Sequence, residues 1–172
     1  ANLLQIEDYK ELVTDLVESN ISFSSFAIGP QRNIELLAAL GNSTGGIIRV
    51  DNEDQQTSVK SGFDLAGAVV APVLWPASLT TSEGVHCVYS AETTPPVRMD
   101  RDTILVGQLD NGNAFQVAIS GKVNGQDLKL EWDVASTGSN EDYNFLPTLV
   151  ENAVPHQGVG LPTLGIEGLI EV

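Results

Sequence analysis

The chain has 172 residues, 42% hydrophobic and 18% charged, with 8 Lys and Arg against 23 Asp and Glu for a net charge of −15. That apolar content excludes an acidic disordered tail. The charge excludes non-specific binding to nucleic acid or anionic membranes, which need fields of Lys and Arg, and no apolar run is long enough for membrane insertion.

The charge is unevenly distributed. Residues 1–75 carry ten acids and four bases, residues 76–137 eight and four, and residues 138–172 five acids and no base. Position 1 is not Met, and no charged or apolar leader pattern follows it. The sequence therefore reads as a fragment of a longer protein, whose targeting signals and localisation are unknown. An exported or cell-surface bacterial setting suits the acidic, lysine-poor composition.

Tyr9, Leu12, Val13, Leu16 and Val17 recur at steps of three and four and predict a helix from Ile6 to Asn20. Ile21–Ile28 reads as a strand stopped by Gly29-Pro30. Its continuously apolar end, Phe26-Ala27-Ile28, is expected of a strand covered on both faces. Asn33 is placed to N-cap a helix carrying Ile34, Leu37 and Leu40 and ending at Gly41. Thr44-Gly45-Gly46 is a turn, Ile47–Val50 a second strand and Asp51–Gln56 a polar loop. Val59, Phe63, Ala66 and Val70 mark one face of a third helix, ended by Pro72. This alternation predicts parallel strands with helices on both sides.

A boundary near Pro72–Pro76 leads into segments of period two. Val85, Cys87 and Tyr89 alternate with His86, Val88 and Ser90. Thr103–Leu109 is a compact apolar strand. Phe115, Val117 and Ile119 alternate with polar or small residues, and Asn124-Gly125 signals a hairpin. Leu128, Leu130, Trp132 and Val134 alternate with Lys129, Glu131 and Asp133, which predicts one buried and one wet face. A small antiparallel sandwich or half-barrel follows. A helix over Glu141–Val154, ended by Pro155, and a Gly/Pro-punctuated segment from His156 to Gly165 complete the chain. The fold class is α+β. A partial Rossmann-like α/β segment (1–72) is followed by a β-rich domain (73–137), then a C-terminal helix and tail (138–172).

The string from Leu16 to Pro30 (LVESNISFSSFAIGP), followed by Leu36 to Gly46 (LLAALGNSTGG), resembles the second half of a von Willebrand factor type A domain. Residues Pro95 to Gly107 (PPVRMDRDTILVG) resemble the start of a β-rich extension that follows such domains in some bacterial, planctomycete-like proteins. The resemblance implies a domain whose divalent metal site is centred on an Asp-x-Ser-x-Ser loop. No such loop occurs in this sequence, so no metal ligand is carried over, and a metal held by the parent would lie mainly outside residues 1–172. A partial sheet implies an uncovered edge, open to pairing with a second copy.

The chemistry-bearing residues each have a structural reading that outweighs a functional one. His86-Cys87, with Asp100 and Asp102 nearby in sequence, could form a Cys/His nucleophile, but strand neighbours point to opposite faces and Cys87 reads as core. Two histidines and one cysteine give no zinc set. Thr44-Gly45-Gly46 lacks the Lys-Ser/Thr of a phosphate loop and follows a helix instead of opening one. Asp51-Asn52-Glu53-Asp54 lacks EF-hand spacing. Asp110-Asn111-Gly112-Asn113 is turn chemistry. Arg101, between Asp100 and Asp102, is expected to make local ion pairs or cap a bend. Trp75 is expected at the seam between the α/β and β parts. The sequence thus predicts no catalytic residue and no cofactor. It predicts a non-enzymatic protein–protein interaction module with an unknown protein partner. The alternative is a structural segment of an exported protein with no separable binding activity.

Overall fold

Tyr9 and Val13, one turn apart, are the two buried residues of α1 (Ile6–Glu18). They pack on Ala39 and Leu40 of α2 (Ile34–Ser43). The computed structural model describes residues 5–51, 55–90, 92–110, 114–138 and 141–156. Asn33 caps α2 as its position predicts, its side chain accepting from the Leu36 amide at 3.0 Å. Strand β1 (Ser25–Ala27) pairs in parallel with β2 (Ile48–Val50).

β1 is shorter than its apolar pattern suggests because residues 21–24 bond elsewhere. The Ile21 amide donates to the Leu16 carbonyl. The Phe23 amide donates to Thr44 Oγ1, and Ser22 Oγ donates to the Gly45 carbonyl. The segment therefore runs along the Thr44-Gly45-Gly46 turn before reaching β2. A β-carbon at Gly46 would collide with the Phe23 carbonyl, so only glycine allows this approach. Ile28, expected under cover, is 66% exposed.

Side chains alternate across a strand. Ile48 and Val50 join Ala27 and Ala38 in the cluster under α2, so Arg49 faces the opposite side. There it meets α3 (Gln55–Val70), its Nε donating to Asp64 Oδ2 at 3.0 Å. The β1–β2 pair is thus sandwiched between α2 and α3. The Arg49–Asp64 pair fixes which face of α3 turns inward. That face carries Ser61 and Ala68, both buried. The apolar stripe of the sequence pattern turns outward.

The remainder is strand-rich. β3 (Val73–Thr81), β5 (Val97–Arg98), β7 (Phe115–Val123) and β8 (Gln126–Val134) form a curled antiparallel half-barrel in the order β5-β3-β7-β8. Leu74, Val97 and Ile119 are its core. A separate ribbon pairs β4 (Val85–Cys87) with β6 (Gly107–Leu109). The Asn124-Gly125 hairpin forms with φ of 50° and 78°, the conformation that selects Asn-Gly. β3 was hidden in sequence by Pro76, which sits where the β3–β7 register shifts, a place where strands tolerate proline. Only the last three residues of the predicted strand Thr103–Leu109 pair, as β6. β8 is an edge strand, so Leu128 and Trp132 on its expected buried face remain exposed.

The predicted C-terminal helix divides. Glu141–Tyr143 is one 3-10 turn and α4 (Leu146–Ala153) starts with Pro147 in its first turn, followed by a further 3-10 turn at Val154–His156. Proline suits a helix start because it has no amide hydrogen to leave unpaired. Among the described residues, no helix is long and apolar enough to cross a membrane.

Two glycine substitutions test this architecture. Gly46→Ala should destabilise the chain by about 1–3 kcal/mol or prevent folding, through overpacking against Phe23. Gly62→Ala, on a helical site with open space around it, should stabilise by about 0.5–1 kcal/mol. Urea unfolding of the two variants measures both.

Candidate functional site

The α/β part, the half-barrel and α4 converge on a cleft of about 650 Å³. α1 contributes Val13 and Val17 to its lining, β3 contributes Trp75, and α4 contributes Val150. Tyr89, Thr93, Thr94, Arg101 and Thr103 line it from the chain between β4 and β6. Its volume falls within the range of small-ligand sites, and its lining mixes apolar and polar side chains.

Beside the cleft lies Arg98, 2% exposed. Its Nε and Nη2 donate to the two carboxylate oxygens of Asp100, each at 2.7 Å. Nη1 donates to the Gly45 carbonyl at 2.7 Å and Nη2 to the Ala68 carbonyl at 3.1 Å. Ala68 lies in the last turn of α3, where carbonyls lack helical donors. The residue four positions on is Pro72, which has no N–H. Arg98 supplies that missing donor from another part of the chain. The Arg98 hydrogen bonds hold the Asp100 carboxyl below the usual carboxylate range.

The sequence contains four arginines. Arg32 donates to the carbonyls of Ala27 and Asp51, Arg49 to Asp64, and Arg98 as above. Arg101 has no hydrogen-bond or ion-pair partner among the described residues. This corrects the expected local pair, because Asp100 is taken by Arg98. Burial, and then the nearby Arg98 charge, lower the Arg101 guanidinium to about 10 from its usual 12.5, so it stays cationic at neutral pH. Tyr89, also half-buried, has no hydrogen-bond partner among the described residues. Burial pushes its phenol up, with a further contribution from Cys87.

The other sequence candidates do not assemble. Cys87 is half-buried and its Sγ lies 3.5 Å from the Val106 carbonyl, while His86 on the opposite face pairs with exposed Asp110 at 3.0 Å. Asp100, bound to Arg98, is not brought to either. Thr44 is fully buried, its hydroxyl donating to the Leu40 carbonyl at 2.7 Å. The Thr-Gly-Gly turn is therefore structural. Residues 52–54, residues 111–113 and the segment after His156 lie outside the described residues. Among the described residues, no three His, Cys, Asp or Glu side chains group as a metal site.

A second feature is the outer face of α3. Phe63 is 75% exposed and Val70 79%, with Val59 and Ala66 exposed on the same stripe. Sequence reasoning found this stripe as one face of the helix without assigning the side it turns to. Arg98 and Tyr89 were not singled out. The spacing of Ala68 and Pro72, which leaves a carbonyl without a donor, was the signal that could have pointed to Arg98.

Compared with known proteins, the chain matches no family, no curated sequence and no solved structure.

The lowered Asp100 carboxyl has a definite pH consequence. Its contribution to stability is complete above the usual aspartate value of 3.8 and disappears as pH falls through its depressed folded value. Asp100→Asn should lower stability at neutral pH by about 1–2 kcal/mol, limited by the partial solvent exposure of the carboxylate. It should also flatten the acid loss below the usual aspartate range. Urea unfolding across a pH series checks both.

Proposed function

We propose that the chain is a non-catalytic protein–protein interaction module within a larger protein containing a von Willebrand factor type A domain. The observation that carries this reading is the solvent-facing stripe of α3. An apolar helix face normally turns towards a core. Here Val59, Phe63 and Val70 are exposed together while small residues of the same helix pack inward. Contiguous exposed apolar surface of this kind marks contact sites.

Two further observations support it. The parallel β1–β2 pair lies between α2 and α3, as in a Rossmann-like segment of the type A family. Among the described residues, each of these two strands pairs only with the other. Such open edges accept further strands, and self-association through them belongs to the same reading. The contact made by α3 needs no metal ligand, since its residues are apolar.

Photo-crosslinking from position 63 in cells of the source organism tests the reading. A benzophenone side chain there should give a discrete adduct, and its mass distinguishes a second copy from another protein. The same probe at exposed Glu131 should give none. Absence of any adduct at position 63 would contradict the reading. Phe63→Asp should abolish the contact yet change stability by less than about 0.5 kcal/mol, because the side chain supports no core.

A further inference from the structure

We propose that the cleft binds a carboxylate carried on an apolar body, with Arg101 as its counter-ion and Tyr89 as a second hydrogen-bond donor. The proposal stands apart from the α3 contact and involves none of its residues.

The first ground is the state of Arg101. In a chain of net charge −15 with 23 acids, carboxylates are abundant. The other three arginines are all engaged by carbonyls or carboxylates. Arg101 alone is half-buried without a partner among the described residues, and it lines the cleft. Asp100 lies near enough to favour the Arg101 charge but is bonded to Arg98, and a partly desolvated cation with no hydrogen-bonded counter-ion is unfavourable. An incoming anion would remove that cost. Tyr89 lines the same cleft with its phenol likewise unengaged.

The second ground is the chemistry around it. A guanidinium presents a planar fork that matches a carboxylate with two parallel hydrogen bonds. Glu18, Glu92 and Asp102 also line the cleft. A doubly charged phosphate would meet three acids against one base, whereas a monoanion seated on Arg101 meets less repulsion. Val13, Val17, Trp75 and Val150 give the apolar wall for the rest of the ligand. A volume of about 650 Å³ accommodates a small aromatic or branched acid, or the last residues of a peptide. Both sources present the same group, a carboxylate next to apolar carbon.

Nuclear magnetic resonance titration of the full chain separates the outcomes. The probes are 3-phenylpropionate, acetyl-Leu-Val with a free C-terminus, the amide of each, and inorganic phosphate. The proposal expects saturable shifts at Arg101 Nε and at the Thr93, Thr94 and Thr103 amides with one or both acids. Saturation by the peptide alone assigns the site to a chain terminus, and saturation by phenylpropionate alone to a small acid. Arg101→Gln should weaken binding by about tenfold or more, as expected for losing a charge-assisted bond. Tyr89→Phe, whose ring is retained, should weaken it several-fold and serves if Arg101→Gln does not fold. Amides that bind as well as acids, shifts unchanged in both variants, phosphate competing equally, or no saturation by either acid would each overturn the proposal.

Discussion

The guanidinium of Arg98 donates to the Gly45 carbonyl in the Thr-Gly-Gly turn, to the Ala68 carbonyl in the last turn of α3, and to Asp100 just beyond its own strand. Three separately formed pieces of backbone therefore share one buried cation. A buried arginine is tolerated only when its donors are satisfied, and removing one partner leaves the rest of the charge uncompensated. The contact is thus demanding in both directions. It requires the turn to present its carbonyl, which the left-handed Gly45 (φ 67°) does. It also requires α3 to end beside β5, which Pro72 enforces by stopping the helix and leaving Ala68 without a donor.

The placement of the cleft follows from that junction. Arg98 lies in β5, and the chain continues through Asp100 to Arg101 within three residues. Because Asp100 is committed to Arg98, Arg101 reaches the cleft without its nearest carboxylate. After burial, the same positive charge that closes the junction also lowers the affinity of Arg101 for its proton. A structural requirement on one arginine leaves a second one available, and the position of both is set by a two-residue strand. On the α3-facing side of β1 and β2, a second arginine acts similarly. Arg49 draws Asp64 inward and so turns Phe63 and Val70 to solvent.

Local signals read well from the sequence where a residue type has one dominant use. Asn33 caps a helix and Asn124-Gly125 closes a hairpin. Each is decided by neighbours within a few positions. What could not be read depends on contacts distant in sequence. The periodicity of α3 gave a helix, but its inward face was chosen by an ion pair to a residue fifteen positions away. Pro76 concealed β3 because its register shift exists only against β7. The alternation Arg98, Asp100, Arg101, Asp102 admitted several pairings. Only the fold, by burying Arg98 against two carbonyls, decides which arginine holds Asp100.

Native-state hydrogen exchange on Arg98→Met measures most directly whether this junction holds the molecule together. The account predicts that amides of α2, β1 and β2 lose protection strongly, while those of the β7–β8 hairpin keep most of theirs, since each strand of that hairpin pairs with the other along its length. Protection in α2, β1 and β2 equal to that of the unsubstituted chain would contradict it. Arg98 would then be a bystander at a junction held by apolar packing.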